Sequence, residues 1–138
     1  MAEVQCTVDS IRVAEAFPDE LTLILRRKHA DGYVPIFISR HQGEVLADEL
    51  NGRPDSSTEL EAFLSRSNCT ESDIGSTTIY LEGNSFFAKV LLSPDRKPHE
   101  VRCPIGIALA LAVRAGAPIF LDDRVFENAG VCLSTEPC

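Results

Sequence analysis

The stretch CPIGIALALAVRAGAPIF, from Cys103 to Phe120, decides the fold. From Pro104 to Val113 it holds no charged or hydrogen-bonding side chain. Pro104 suits the first helical position, where its missing N–H costs nothing; Gly116 suits a left-handed cap, and Pro118 prevents resumption. The spacing therefore predicts a helix from Pro104 to Ala115. Apolar on every side and far short of the roughly 20 residues of a membrane span, it belongs in a protein core and gives no membrane anchor. Its alternation of alanine and leucine from Ala108 to Ala112 offers close approach beside gap-filling bulk. Packing is all these residues specify, since none of them carries chemistry.

A core helix needs a sheet or other helices to be buried against, and 138 residues with 44% hydrophobic content are enough for one such domain. We expect it to span 1–131, with a tail at 132–138. The net charge of −8 argues against a simple basic nucleic-acid-binding surface. It does not exclude acidic nucleases, whose metal ions supply the positive charge. The N-terminus shows no basic start followed by an apolar run, so a cytoplasmic location is the expectation. Five cysteines without a C-x-x-C pair fit a reducing compartment and mostly buried thiols; Cys138 is the candidate exposed thiol, with Cys132 its only near partner in sequence.

Val4 to Val13 reads as a half-buried strand with a phase slip, hence a bulge, near Asp9. After the turn Phe17-Pro18-Asp19-Glu20, Leu21 to Arg27 and Tyr33 to Ser39 read as a hairpin about Ala30-Asp31-Gly32. Arg40 to Asn51 reads as a helix capped by Ser39 and ended by Gly52, with Val45, Leu46 and Leu50 inward and Glu44, Asp48 and Glu49 outward. A polar connector, Arg53 to Thr58, leads to a helix reaching Ser67 with Leu60, Phe63 and Leu64 on one face. Thr77 to Leu81 and Ser85 to Leu92 form a hairpin about Gly83-Asn84. The Pro94 to Pro98 turn precedes a short strand, Glu100 to Cys103. Beyond the buried helix, Pro118 to Leu121 is extended, and Asp122 to Ala129 reads as a helical turn.

The result is an α+β fold, a mixed or antiparallel sheet covered by helices on one face. Strand, strand, strand, helix occurs twice. A shift of roughly 65 residues sets Leu21, Leu23 and Leu25 on Phe86, Ala88 and Val90, Ile36 and Ile38 on Val101 and Cys103, and Leu46 on Leu111. This fits either a duplicated β-β-β-α unit or convergence on the same hairpin-plus-helix pattern.

Several groups could carry chemistry, each with an ordinary alternative. Glu44, Asp48 and Glu49 share a helix surface and could bind a divalent ion or simply face solvent. His41, beside Arg40 at the same helix start, could act as base or phosphate contact, or be a surface residue without a carboxylate nearby in sequence. His29 and His99 lack the spacing of a zinc site. Asp122 and Asp123 could bind metal at a strand end or cap the helical turn that follows. The start of the buried helix at Ile105, Gly106 and Ile107 offers N–H groups to an anion, with Arg102 just upstream; solvent or a neighbouring loop could equally satisfy them.

Three phrases together resemble the bacterial bifunctional nuclease domain, a family described as cutting both DNA and RNA. They are Val34-Pro35-Ile36-Phe37-Ile38, Leu50-Asn51-Gly52-Arg53-Pro54 and IALALAVRAGAPIF from Ile107 to Phe120. The resemblance spans roughly Val4 to Val131, in the family's order of elements. It implies a metal-assisted phosphodiester hydrolase using Mg²⁺ or Mn²⁺ on DNA or RNA. Gln42 stands where the family typically has glutamate, Ser56 to Glu59 where it has Thr-His-Asp, and Gly106 and Ile107 where it has serine and aspartate.

The candidate catalytic set on this reading is Gln42, Glu44 and Arg102, with Arg40, His41, Ile105, Gly106 and Ile107 as binding positions. The competing expectation is a non-catalytic ligand-binding or self-associating member of the same fold. Homo-oligomerisation is expected because a small sheet leaves edges to cover.

Overall fold

The protein, as a computed structural model, is described over residues 3–13, 19–29, 32–52, 59–83, 85–93, 97–122 and 124. Strands β1 (Glu3–Val13), β2 (Glu20–Arg27) and β3 (Tyr33–Ser39) lead into helix α1 (Arg40–Leu50). Helix α2 (Glu59–Arg66) and a 3-10 turn (Glu71–Asp73) follow. Strands β4 (Ile74–Glu82), β5 (Ser85–Leu92) and β6 (His99–Cys103) lead into helix α3 (Ile105–Ala115), and β7 (Ile119–Asp122) closes the order.

The strands form one mixed sheet in the order β3-β2-β1-β7-β4-β5-β6. All pairs are antiparallel except β4 with β7. Period-two alternation puts Leu21, Leu23 and Leu25, Val34, Ile36 and Ile38, and Ala88, Val90 and Leu92 on one face, all buried. Helices α1 and α3 pack side by side, α2 packs against α3, and α3 lies on β4 and β5.

Helix α3 is buried from Ile105 through Ala112. Pro104 precedes the helix as its N-cap, with φ −56° and ψ 141°, one residue earlier than expected; its carbonyl accepts the Ala108 N–H at 2.8 Å and so starts the ladder. At the other end Gly116 takes φ +66°. The Gly116 N–H donates to Val113 and the Ala117 N–H to Ala112, closing the helix as a Schellman motif. Thr77, buried on β4, donates its hydroxyl to the Ala108 carbonyl at 2.9 Å and ties the helix to the sheet.

The two β-β-β-α units match strand by strand, and they do so more closely than one uniform shift suggests. The expected bulge in β1 falls between Val8 and Ser10, opposite Leu25 and Ile24. Strand β4 is irregular at the equivalent point, between Ile74 and Ser76, opposite Leu92 and Leu91. Leu21 pairs with Ile38 as Ala88 pairs with Cys103, and Leu23 with Ile36 as Val90 with Val101. Leu21, Leu23 and Leu25 therefore correspond to Ala88, Val90 and Leu92, not to Phe86, Ala88 and Val90. Both assignments keep the same sheet face, so hydrophobic phase alone does not separate them.

Two side-chain expectations for α1 are corrected. Leu50, expected inward, is 45% exposed at the helix end. Glu49, expected outward, is buried in an ion pair with Arg114 of α3. Cys6, Cys69 and Cys103 are free and buried, as small apolar residues would be. The expectations for residues 14–18, 30–31, 53–58, 84, 94–96, 123 and 125–138, including the terminal turn beyond Arg124, the tail, Cys132 and Cys138, lie outside the described residues. Among the described residues no helix is long and apolar enough to cross a membrane.

Candidate functional site

Strands β3 and β6 are the opposite edges of the sheet, yet residues of both line one open cavity of about 760 Å³. The sheet thus curves until its two edges share a cleft, and the N-terminal ends of α1 and α3 meet there. The first unit contributes Asp19, Glu20, Phe37, Ile38 and Ser39; the second contributes Phe86, Phe87, Arg102, Cys103 and Pro104. By the strand register these are equivalent positions, taken in that order. The cleft therefore lies where equivalent positions of the two units meet. Equivalent positions bear different chemistry: carboxylates in one unit stand for phenylalanines in the other, and Phe37 stands for Arg102.

On the second unit's side the guanidinium of Arg102 lies over the Phe87 ring, 4.4 Å from its centroid. Phe87 in turn stacks on Tyr80 with centroids 5.2 Å apart and planes at 20°. The Lys89 ammonium lies 5.5 Å from the Tyr80 ring and 5.9 Å from that of Phe87. These three strands, β4, β5 and β6, carry the row on the face opposite the helices, because Tyr80 pairs with Phe87 and Lys89 with Arg102 across the ladders. Cation over ring is attractive and holds the long arginine side chain against its neighbour. No ion pair of Arg102 with a carboxylate occurs among the described residues.

On the first unit's side Asp19 and Glu20 are exposed, and Phe37 is 71% exposed on the edge strand. The Asp19 carbonyl accepts the Arg40 N–H at 2.9 Å, which joins the turn before β2 to the start of α1. Ionised carboxylates are acceptors only and are hard ligands for cations. At the floor, Cys103 is buried, and desolvation pushes its thiol up to about 12. Such a thiol stays protonated at neutral pH and is a poor nucleophile.

Several residues expected from sequence meet here. Gln42, Arg102 and Ile105 line the cleft. The N–H of Gly106 is not open to an anion: it donates to the Gln42 side-chain carbonyl at 2.8 Å. A Cβ on Gly106 would fall 2.5 Å from the Gln42 Cβ and 2.9 Å from its carbonyl oxygen, so glycine lets the two helices touch. Ile107 is buried and does not line the cleft. Arg40 and Glu44 form an exposed i,i+4 pair at 3.6 Å outside the cleft lining.

His41 has a carboxylate partner after all, Glu59 at the start of α2, far off in sequence and near in space. Asp122 is buried at the end of β7 and accepts from the Arg124 N–H at 3.1 Å and its guanidinium at 3.2 Å, the capping alternative. Among the described residues no group of three histidine, cysteine, aspartate or glutamate side chains is placed to hold a metal ion. The residues that sequence reasoning missed are Asp19, Glu20, Phe37 and Phe87. Their only local signal is the Asp19-Glu20 turn at the start of a strand.

The chain matches the model of the Bifunctional nuclease domain over residues 23–134. Two uncharacterised proteins of Mycobacterium tuberculosis are each 29% identical to it over 143 residues: MT1877 of strain CDC 1551 / Oshkosh and Rv1829 of strain ATCC 25618 / H37Rv. In both cases the match covers 99% of this chain and 80% of the relative. The chain belongs to the bifunctional nuclease domain family.

Proposed function

We propose, from that membership, that the cleft between the two edge strands takes a nucleic-acid phosphodiester and hydrolyses it with the help of a divalent cation. The observation that carries this reading is the division of the cleft. Two adjacent carboxylates, Asp19 and Glu20, lie on one side, and Arg102, seated on Phe87, lies on the other. Mg²⁺ and Mn²⁺ take oxygen ligands, and Mg²⁺ is commonly held by one or two carboxylates, with water and substrate phosphate completing its shell. Asp19 and Glu20 fit that donor set and would hold the ion, which when bound supplies positive charge at the phosphoryl oxygens and a more acidic water.

Arg102 presents planar N–H donors suited to a phosphate oxygen, and its position over Phe87 limits the freedom lost on binding. A bound cation would also offset locally the net charge of −8, which weakens but does not prevent the approach of a polyanion.

The test is hydrolysis of RNA, single-stranded DNA and duplex DNA by the purified chain with Mg²⁺ or Mn²⁺. Expected is cleavage that EDTA abolishes and that Asp19→Asn with Glu20→Gln lowers by about 100-fold, the order of a lost charge-stabilising group. Cleavage that survives both changes removes Asp19 and Glu20 from the reaction.

A second reading, a non-catalytic binding module of the same fold, is favoured by one observation. Gln42, at the position where the family's glutamate is expected, is engaged with the Gly106 N–H. Absence of cleavage, together with retained metal-independent binding of oligonucleotides, would select it.

A further inference from the structure

Phe37 and Arg102 occupy equivalent positions of the two units and both line the cleft from opposite edges of the sheet. Phe37 is 71% exposed, although it is a large apolar ring in a chain that buries most of its others at least in part. The guanidinium carbon of Arg102 lies 4.4 Å from the Phe87 centroid, and Phe87 is itself backed by Tyr80. The row Tyr80, Phe87, Arg102 thus ends, at the sheet edge, on a guanidinium that has no second ring partner among the described residues. A flat apolar ring on one edge and a ring-supported planar cation on the other border the same cavity.

We propose that Phe37 and Arg102 clamp one unpaired nucleobase, purines more tightly than pyrimidines. A base in a duplex has both faces covered by its neighbours, so only an unstacked base offers the two faces that the clamp requires. Stacking on aromatic or guanidinium planes is tolerant of base edge but grows with ring area, which sets purine above pyrimidine. The clamp uses the faces of Phe37 and Arg102, leaving the N–H edge of Arg102 for phosphate and Asp19 and Glu20 for a cation. It deepens the reading of the cleft as a phosphodiester site and rests on it for the identity of the ligand. Its binding step needs no metal.

The experiment is calorimetric titration of the whole chain, in EDTA, with adenosine 5′-monophosphate, uridine 5′-monophosphate and ribose 5-phosphate. A second arm uses a short single-stranded oligonucleotide and the same strand with abasic sites, so that free nucleotides and strands are told apart. Expected is binding in the order adenosine, uridine, ribose phosphate, and loss of strand affinity when the bases are removed. Phe37→Ala weakens adenosine monophosphate by about tenfold, within the range of a lost stacking partner. Arg102→Lys keeps the charge but removes the plane, and weakens it by a similar factor.

Equal binding of adenosine monophosphate and ribose phosphate overturns the proposal. So does an Arg102→Lys variant that binds as well as the parent, since charge alone would then account for the contact. Preference for the free nucleotide over the strand keeps the clamp and makes the ligand a mononucleotide. The two readings of the cleft fail separately: clamp binding without hydrolysis defeats catalysis, and hydrolysis indifferent to Phe37→Ala and to base removal defeats the clamp.

Discussion

The side-chain carbonyl of Gln42 accepts the backbone N–H of Gly106 at 2.8 Å, so the first turn of α1 satisfies an open donor at the start of α3. Together with the Glu49 and Arg114 pair at the far ends, this contact sets the two helices parallel and in register. Gly106→Ala forces a Cβ against the Gln42 backbone. The expected cost is about 1–3 kcal/mol, the usual penalty of overpacking. A melting temperature lowered by several degrees in thermal denaturation would show it; an unchanged one would mean the helices are free to separate.

Gln42→Ala leaves the Gly106 N–H without its acceptor and is expected to cost about 1 kcal/mol. Gln42→Glu keeps the acceptor and adds a negative charge at the positive end of α3, worth about 0.3–1 kcal/mol in the stabilising direction once ionised. Denaturant titration of the two variants at neutral pH should therefore place them on opposite sides of the parent. At a pH low enough to protonate the introduced carboxylate, the gain should vanish.

Glu49 and Arg114 also occupy equivalent positions of the two units, and their side chains are only 8% and 13% exposed. Removing one partner takes an opposite charge away from a mostly buried group. Glu49→Ala is expected to destabilise by about 3 kcal/mol, whereas Glu49→Met with Arg114→Leu should recover most of the loss, because buried ion pairs are replaceable by well-packed apolar groups. Equilibrium unfolding of both variants separates the two costs.

Burial pushes the thiols of Cys6 and Cys103 up to about 12. An acid whose pKa is higher folded than unfolded stabilises the fold while protonated in both states. That contribution is complete below the unfolded value near 9 and disappears as pH rises from there toward 12. Thermal stability should fall through this window, and less steeply in Cys6→Ala with Cys103→Ala. Native protein at a pH of about 8 should react with a thiol reagent at these two sites only as fast as it opens.

Phe37 contributes little to the core despite its size, since most of its surface is in solvent. Phe37→Ser should change stability by less than about 0.5 kcal/mol. A melt that moves by many degrees would instead make the ring a structural contact.

Local signals carried the elements well. Strands 33–39 and 85–92 coincide with their sequence-based bounds, and Gly116 closes α3 where expected. The bulge of β1 was legible as a phase slip at Asp9. What was not legible depends on contacts far apart in the chain. Glu49 reads as a solvent-facing carboxylate until Arg114 is brought beside it, and His41 has no visible partner until α2 folds back. Asp19, Glu20 and Phe37 join Phe87 and Arg102 only because the sheet curls, a property of many strands together that no single stretch of residues encodes.

Strand β7 is four residues long, yet among the described residues it alone joins β1 to β4 in the sheet. During synthesis the two three-stranded halves can each form, but their seam stays open until residues 119–122 have left the ribosome. A contact between Val4 and Leu121 closes nearly the whole chain into one loop, which places it among the slowest events of folding. Until then the inner edges of β1 and β4 are unpaired, so the interval before β7 arrives is when newly made chains are most exposed to pairing with one another.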